Sequence, residues 1–301
     1  MTAAGLPLPP EPRLPPEPPA SVRAGSGPGA VASVPVRHVA VGAGHGGGGA
    51  DREGPDDVAV EAPLELRFAG TAAAVLLRTP GDDDDLVHGF LLGEGIVRSA
   101  ADLVHLARPA GLPPGEVGNV VDVTLVPALA DAHLDRGLYS SSACGACGKR
   151  SLASLEVHAA PLAPGPRVPR AVLASLPDRL RAAQPAFART GGLHACGLFA
   201  ADGALVALRE DVGRHNAVDK VVGWALRAGR VPLAGHVLVV SGRISYELAQ
   251  KAVVAGAAVL VAVGAPSSLA IDVARAHGLT LVGFTRPTSF NVYTGPERVG
   301  D

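Results

Sequence analysis

The sequence predicts an α/β protein in which a smaller α+β domain precedes a larger α/β domain. Between residues 236 and 284, short aliphatic strands alternate with amphipathic helices, a pattern typical of a buried parallel sheet. Ahead of this region, two strand patterns flank Ala69-Gly70 and a run of aspartates follows them, which indicates a separate α+β unit. Residues 1–55 are rich in Pro, Gly and Ala without apolar periodicity, and therefore predict a disordered tail.

These patterns give three expected segments: a tail over 1–55, a small α+β domain over 56–148 that ends in a cysteine loop, and an α/β domain over 149–301. The 301 residues are 48% hydrophobic, which is enough for a sizeable core. A net charge of -2 argues against binding to nucleic acid. No signal peptide and no membrane-spanning apolar run are visible, so we expect a cytoplasmic protein that is not bound to a membrane.

In the first domain the patterns predict two strands joined as a hairpin, a helix with acidic residues at its start, and a further strand. Their expected bounds are 58–66 and 72–77 for the hairpin, 86–97 for the helix and 120–125 for the last strand. Leu134 then leads into the cysteine loop.

In the second domain we expect two helices, a hairpin and another helix before the alternating region. Their bounds are 152–157 and 171–183 for the first helices, 193–199 and 205–209 for the hairpin strands, and about 210–228 for the helix. The alternating region predicts strands over 236–240, 258–263 and 279–284, and helices over 244–254 and 269–276.

Two thiols lie two residues apart in Cys144-Gly-Ala-Cys147, followed by Lys149 and Arg150. Adjacent cations and a helix N-terminus would lower the thiol pKa values and favour nucleophilic thiolate, so the pair predicts reactive sulfur. Two other interpretations remain open. The pair is half of a structural zinc site completed by His194 and Cys196, or it is buried and inert.

The run from Glu210 to Lys220 concentrates polar side chains at a predicted helix start. Asp211, His215 and Asp219 are spaced by four residues and would share one helix face. A solvated face is the plain alternative, but the density of titratable groups favours a site.

The loops after the three parallel strands should meet at one edge of the sheet, where ligands bind in such folds. This edge would bring together hydroxyl groups and two arginines, which suit a phosphate-bearing ligand. The residues are Ser241, Arg243, Ser267, Ser268, Thr285 and Arg286.

Several motifs together resemble the FdhD family, the sulfur carriers required for formate dehydrogenase activity. The resemblance extends from about residue 58 to the C-terminus, and the run at Glu210 is its most specific part. The matching motifs are Cys144-Gly-Ala-Cys147-Gly148, Thr190-Gly-Gly-Leu-His194, Glu210-Asp-Val-Gly-Arg-His-Asn-Ala-Val-Asp-Lys220, Ser241-Gly-Arg-Ile-Ser-Tyr-Glu247 and Ala265-Pro-Ser-Ser-Leu-Ala270.

The resemblance implies a cytidine-deaminase-like α/β domain, a homodimer and a role in sulfur transfer. Cys144 and Cys147 match the persulfide-bearing thiols, which would receive sulfur from a cysteine desulfurase. The acceptor would be molybdenum bis(molybdopterin guanine dinucleotide), sulfurated before it enters formate dehydrogenase, and no structural metal is expected. The segment that matches the guanine dinucleotide contacts, together with His194 and His215, completes the expected cofactor site: Phe284, Thr285, Arg286, Pro287, Thr288 and Ser289.

Two other functions remain as alternatives to the sulfurtransferase. A zinc-dependent deaminase-like enzyme would need a glutamate two residues after its histidine ligand, whereas Ala195 and Cys196 follow His194. A thiol oxidoreductase would need its Cys-x-x-Cys pair directly after a strand of a compact βαβ domain.

Overall fold

The computed structural model describes residues 29–41, 51–129, 157 and 159–301. Over these residues the chain is a mixed α/β protein with two larger sheets and helices packed between and around them. The cysteine loop, the boundary predicted at 148/149 and the helix predicted at 152–157, apart from Val157, lie outside the described residues.

The first elements that the structure describes form an antiparallel hairpin of β1 (Val31–His38) and β2 (Arg52–Ala59). Because these strands lie partly before residue 55, the prediction of a tail without structure is wrong for them. The composition gave no sign of these strands, because proline is uncommon inside a strand and Pro35 and Pro55 are opposite each other in the ladder. The hairpin is supported by α3 (Pro185–Thr190), a distant part of the chain, where Arg189 donates to the Asp57 carboxylate at 2.8 Å.

The second sheet has four strands and the order β4-β3-β6-β5. Its hairpin turns at Ala69 and Gly70 as predicted, and both residues have the positive φ angles, 48° and 77°, of a type I′ turn. Strands β3 and β6 are parallel, while the two outer strands pair antiparallel with them. The strands are β3 (Ala62–Phe68), β4 (Thr71–Arg78), β5 (Leu103–Ala107) and β6 (Val120–Leu125).

Between β4 and β5 lies α1 (Asp83–Gly93), which starts and ends earlier than predicted. Three aspartates occupy its first turn, where the helix dipole favours negative charge. The buried Arg78 guanidinium donates to both carboxylate oxygens of Asp83 at 2.9 and 3.0 Å, and thereby fixes the helix start against β4.

The larger sheet has six strands in the order β13-β12-β11-β10-β8-β9. Its three central strands β10, β11 and β12 are parallel, as predicted, while β8, β9 and β13 are antiparallel to their neighbours. The last strand, β13, was not predicted. The strands are β8 (His194–Ala200), β9 (Leu205–Asp211), β10 (His236–Val240), β11 (Val259–Ala262), β12 (Thr280–Arg286) and β13 (Ser289–Thr294).

Helices cover both faces of this sheet. Val237 and Val239 contribute to the apolar cluster that α2 covers, and Leu238 and Val240 to the cluster on the opposite face. A short parallel ladder of β7 (Val168–Pro169) and β14 (Val299–Gly300) ties the start of α2 to the C-terminus. The helices are α2 (Arg170–Ala182), α3 (Pro185–Thr190), α4 (Arg214–Arg227), α5 (Tyr246–Val254) and α6 (Ser268–His277).

The helix predicted from about residue 210 begins only at Arg214, since the chain before it continues the β9 ladder. Asp211 is the last residue of that strand and pairs with His194, so the three spaced polar residues do not share a helix face. Only His215 and Asp219 are on α4.

One apolar core extends from the four-stranded sheet through α1 and α4 to the larger sheet. That the six-stranded sheet and its helices form a cytidine-deaminase-like domain stays a prediction. Among the described residues, no helix combines the length and apolar character needed to cross a bilayer.

Candidate functional site

The loops that follow β10, β11 and β12 lie side by side at one edge of the larger sheet. Gly264 N donates to Gly242 O at 3.0 Å, and Phe284 N donates to Gly264 O at the same distance. The Arg286 guanidinium donates to Val263 O at 2.8 Å. We call this edge, made by residues 241–245, 263–268 and 284–286, the rim; it contains the six residues predicted to converge.

Two of the rim serines, Ser241 and Ser267, use their hydroxyl groups within the protein. Ser241 Oγ accepts a hydrogen bond from Ala195 N at 3.0 Å and is 3.3 Å from His194 Nδ1. Ser267 Oγ accepts from Ala270 N at 3.3 Å and caps the start of α6. These two serines therefore stabilise the conformation of the loops. Ser268 and Arg243 are exposed to solvent.

His194 and Arg214 extend the rim toward the start of α4. A Cβ placed on Gly242 would be 3.5 Å from the His194 ring and 3.7 Å from Arg214 Cδ, so both side chains border this glycine. Burial lowers the pKa of His194, and the positive charge of Arg214 lowers it further. The imidazole is therefore neutral at physiological pH, and a phosphate bound beside it would favour its protonation.

His215, the second residue of α4, joins this helix to the loop before α5. Its Nε2 is 3.1 Å from Ser245 Oγ and 3.2 Å from Glu247 Oε2. Both of these contacts are made by the same ring nitrogen. Both His215 and Glu247 are buried. His215 holds the N-termini of α4 and α5 together behind the rim.

The C-terminal segment predicted to contact the guanine dinucleotide, residues 284–289, forms the end of β12 and its turn into β13. The Phe284 backbone adopts φ 52°, in the left-handed region that residues other than glycine avoid. Such strain costs about 1–3 kcal/mol and is concentrated at functional sites. Phe284 is 46% exposed, so it presents apolar surface to solvent. Thr285 is buried, and among the described residues its Oγ1 has no hydrogen-bond partner.

Beside this turn lies a cleft of about 570 Å3 between the β12–β13 connection and the start of α2. Pro287, Thr288 and Ser289 form one wall, and Arg170 stands on the other. The cleft is open to solvent and adjoins the rim, so a ligand on the rim could extend into it.

Of the three cysteines, only Cys196 is among the described residues. It is fully buried in β8, and burial raises the pKa of its thiol far above the usual range, with the Asp219 charge adding to the effect. A thiol held protonated in the core is neither a nucleophile nor a ready zinc ligand. Within the ranges that the structure describes, no three His, Cys, Asp or Glu side chains are grouped so that they could hold a metal ion.

Sequence reasoning did not single out Arg214, Ser245 or Glu247 as site residues. All three lie inside motifs that the resemblance used, directly beside predicted residues. Their spacing along the chain gives no sign of the approach between α4, α5 and the first residue of β8, which depends on the packing of the sheet.

The comparisons with known proteins agree on one relationship. The sequence profile described as the FdhD/NarQ family matches residues 59–300. The sulfur carrier protein FdhD of Streptomyces avermitilis is 53% identical over 252 residues, covering 81% of this chain and 89% of that protein. The protein of the same name from Mycobacterium tuberculosis is 50% identical over 255 residues, covering 81% and 92%.

A solved structure supports the same relationship. The crystal structure of a proposed formate dehydrogenase accessory protein from Desulfotalea psychrophila matches with a TM-score of 0.67 at 26% identity. The match covers 89% of this chain and 99% of that one.

Proposed function

This chain belongs to the FdhD/NarQ family, and from that membership we propose that it carries sulfur from a cysteine desulfurase to the molybdenum cofactor of formate dehydrogenase. The observation that carries the proposal is the match over residues 59–300, which includes the cysteine pair and every loop of the rim. The sulfur acceptor is molybdenum bis(molybdopterin guanine dinucleotide), bound as a substrate before it enters the dehydrogenase.

Cys144 is the proposed carrier, with Cys147 as the second thiol of the pair. The Cys144 thiolate attacks the terminal sulfur of a persulfide on the desulfurase. One sulfur–sulfur bond breaks, another forms on Cys144, and the desulfurase cysteine leaves as a thiolate, so the step needs no external oxidant or reductant. The neighbouring Lys149 and Arg150 favour the thiolate that this attack requires.

The rim is the proposed binding site for the guanine dinucleotide. The N-termini of α4, α5 and α6 are all at this edge of the sheet, and their backbone N–H groups and dipoles favour phosphate. Arg243 and Arg286 supply bidentate donors. The exposed ring of Phe284 offers a surface on which a purine can stack, and Pro287, Thr288 and Ser289 lead from it into the cleft.

We further propose that the protein acts in the cytoplasm as a homodimer, with the larger unit in a cytidine-deaminase-like fold. The desulfurase and the formate dehydrogenase are its proposed protein partners. Metal-dependent deamination gains no support from the described residues, where the only cysteine is buried and protonated.

Intact-mass spectrometry tests the proposal. Incubation with a cysteine desulfurase and L-cysteine should add the mass of one sulfur, which reductant removes. Cys144→Ala should abolish this addition and the activation of formate dehydrogenase in cells that lack their own copy. Full activation by a Cys144→Ala/Cys147→Ala double variant would refute the proposal. Stoichiometric zinc would instead support a structural metal site, and a disulfide cycling without persulfide would support a thiol oxidoreductase.

A further inference from the structure

The most specific sequence run of the chain, Glu210 to Lys220, joins the two larger sheets. At its centre is the carboxylate of Asp211, which is completely buried. It accepts hydrogen bonds from Thr79 N at 3.0 Å, Gly213 N at 2.8 Å and Asn216 Nδ2 at 2.9 Å, and it pairs with Lys220 Nζ at 2.8 Å. A strand end of the larger sheet thus holds backbone from the end of the four-stranded sheet.

The same run makes three more hydrogen bonds to the end of β4 and to Thr79, the residue after it. Lys220 Nζ donates to Thr79 O at 2.7 Å, and Val212 N donates to Thr79 Oγ1 at 3.1 Å. Asn216 Nδ2 donates to Leu77 O at 2.7 Å. The amide, the carbonyl and the hydroxyl of Thr79 are therefore all hydrogen-bonded to residues of the run from Glu210 to Lys220. We call these contacts among residues 77–79 and 211–220 the clasp.

A second buried ion pair, between Lys251 and Asp219, involves a residue of the same run. Lys251 Nζ donates to both carboxylate oxygens of Asp219 at 2.7 and 2.9 Å, beside the end of α1. A Cβ on Gly93 would be only 2.8 Å from this ammonium group, so α1, α4 and α5 are in close contact here. The chain has three lysines, and the two that the structure describes are both buried in such pairs.

Buried ion pairs contribute little net stability, because removing two charges from water costs about as much as their attraction returns. Their more specific effect is on geometry, since each pair tolerates only one arrangement of the elements that it joins. The clasp therefore fixes the relative position of the two sheets more than it stabilises either of them.

This position matters for the segment that carries Cys144 and Cys147. The chain leaves the four-stranded sheet at Leu125, the end of β6. On the other side of the cysteine segment, Leu162 N donates to the O atom of His277, the last residue of α6, at 2.9 Å. The cysteine segment thus connects the four-stranded sheet with the helices of the six-stranded sheet, which are the two parts of the molecule that the clasp joins. The clasp segment itself contains Arg214, which borders Gly242 of the rim, and His215, which contacts Ser245 of the rim.

We propose that Asp211, Lys220 and Thr79 are positioning residues for sulfur transfer: the clasp sets the distance between the attachments of the cysteine segment and the rim. This inference rests on the proposed function. Loading of the persulfide takes place between the desulfurase and the cysteine segment, and does not depend on the clasp. Delivery to a substrate on the rim does depend on it, because a displacement of about 1 Å can cost roughly 100-fold in rate.

The test compares Thr79→Val, Thr79→Ser and Thr294→Val in the full chain. Thr79→Val removes the hydroxyl that Val212 N contacts and preserves the side-chain shape, while Thr79→Ser retains the hydroxyl. Thr294 is the matched control: it is also buried, and its hydroxyl bonds Leu279 O and Leu281 N within the larger sheet alone. Persulfide loading is measured by mass spectrometry, and delivery by activation of formate dehydrogenase at equal loading.

We expect Thr79→Val to load persulfide at the wild-type rate and to deliver it roughly 10- to 100-fold more slowly. Thr79→Ser should deliver at the wild-type rate. Thr294→Val should also deliver at the wild-type rate, even if its melting temperature falls as much as that of Thr79→Val. Normal delivery by Thr79→Val, or an equal loss in Thr294→Val, would overturn the inference. If Thr79→Val does not fold, Asn216→Ala, which removes the bond to Leu77 O, takes its place with the same expectations. A wild-type protein that acquires no persulfide would refute the proposed function itself, and the clasp's role with it.

Discussion

At the scale of single residues, the rim combines side chains that are committed to the fold with side chains that remain available to a ligand. Ser241 and Ser267 hold backbone N–H groups, whereas Arg243 and Ser268 are exposed. Phe284 is both strained and exposed, and a conformation of that cost is expected where a ligand uses it. The ligand contacts should therefore come from the arginines, the aromatic ring and the backbone more than from the serine hydroxyls.

Arg286 provides a direct test of this division. Arg286→Ala should weaken the binding of GDP, used as a fragment of the substrate, by about one to two decades, because one charge-assisted hydrogen bond is worth roughly 1.5–3 kcal/mol. Isothermal titration calorimetry measures the effect. Persulfide loading at Cys144 should not change, and GDP binding that survives both Arg286→Ala and Arg243→Ala would show that the nucleotide binds elsewhere.

His194 predicts a dependence of stability on pH. Its pKa is lowered first by burial and then by Arg214, so between its folded value and about 6.5 the unfolded chain binds more protons. The contribution of His194 to stability should therefore rise with pH through this window, and as the pH falls it should be lost within the window and change no further below it. His194→Gln should reduce the difference between unfolding free energies measured by urea at about pH 5 and about pH 7.5.

Burial also lowers the pKa values of His88 and His236 and raises the pKa of Asp219 to about 6, so these three residues should contribute to the pH dependence that remains in the variant, with Asp219 acting in the opposite direction. A His194→Gln protein with the full wild-type dependence would show that the imidazole is not responsible. Addition of GDP should raise the pKa of His194 in the wild type, as measured by NMR titration, if phosphate binds beside it.

At the scale of elements, the crossing of α1 over α4 brings the two sheets into one core. Glycine makes it possible: a Cβ on Gly89 would be 1.9 Å from Asp219 O, and a Cβ on Gly223 would be 1.8 Å from Asp85 O. The two helix backbones are therefore in direct contact, and the polar clasp lies beside this crossing.

Gly223→Ala should destabilise the protein, because the added methyl group cannot be accommodated without separating the helices. Overpacking of this kind typically costs about 1–3 kcal/mol, and urea denaturation measures it. Gly235→Ala is the matched control, since nothing lies within 4 Å of the Cβ it would add. We expect the control to stay within about 0.5 kcal/mol of the wild type; equal effects of the two substitutions would contradict the tight crossing.

At the scale of the whole molecule, the hairpin of β1 and β2 is an addition to the core rather than a part of either large sheet. It rests on α3, through the ion pair of Arg189 with Asp57 and the packing of Ala59 against Gly192. A two-stranded hairpin alone is marginally stable, so its order depends on these contacts.

Two truncations separate the hairpin from the sequence before it. Deletion of residues 1–28 should leave the melting temperature unchanged, since composition predicts no ordered structure there. Deletion of residues 1–60 should lower it, by about 2–4 °C for each kcal/mol of lost contact, as measured by calorimetry. Arg189→Ala should reproduce a small part of the second effect, because an exposed ion pair is worth at most about 1 kcal/mol. Equal melting temperatures of the two truncated proteins would show that the hairpin adds no stability.

The sequence alone determined the mixed α/β class, the family and most elements of the larger sheet. These depend on local signals: the period of apolar residues, the Ala69-Gly70 turn and motifs of fixed spacing. The convergence of three loops at one rim also followed from the sequence, because parallel strands joined by helices place their carboxyl ends at one edge.

Only the tertiary structure decided what the run from Glu210 to Lys220 contacts. Its partners at Leu77 and Thr79 are more than a hundred residues earlier in the chain, and no local pattern encodes that pairing. The same reason applies to the β1–β2 hairpin, whose proline-rich strands resemble a tail until α3 supports them, and to Asp211, which ends a strand because His194 pairs with it. Packing between distant segments therefore assigned these residues their roles, whereas their chemistry was already visible in the sequence.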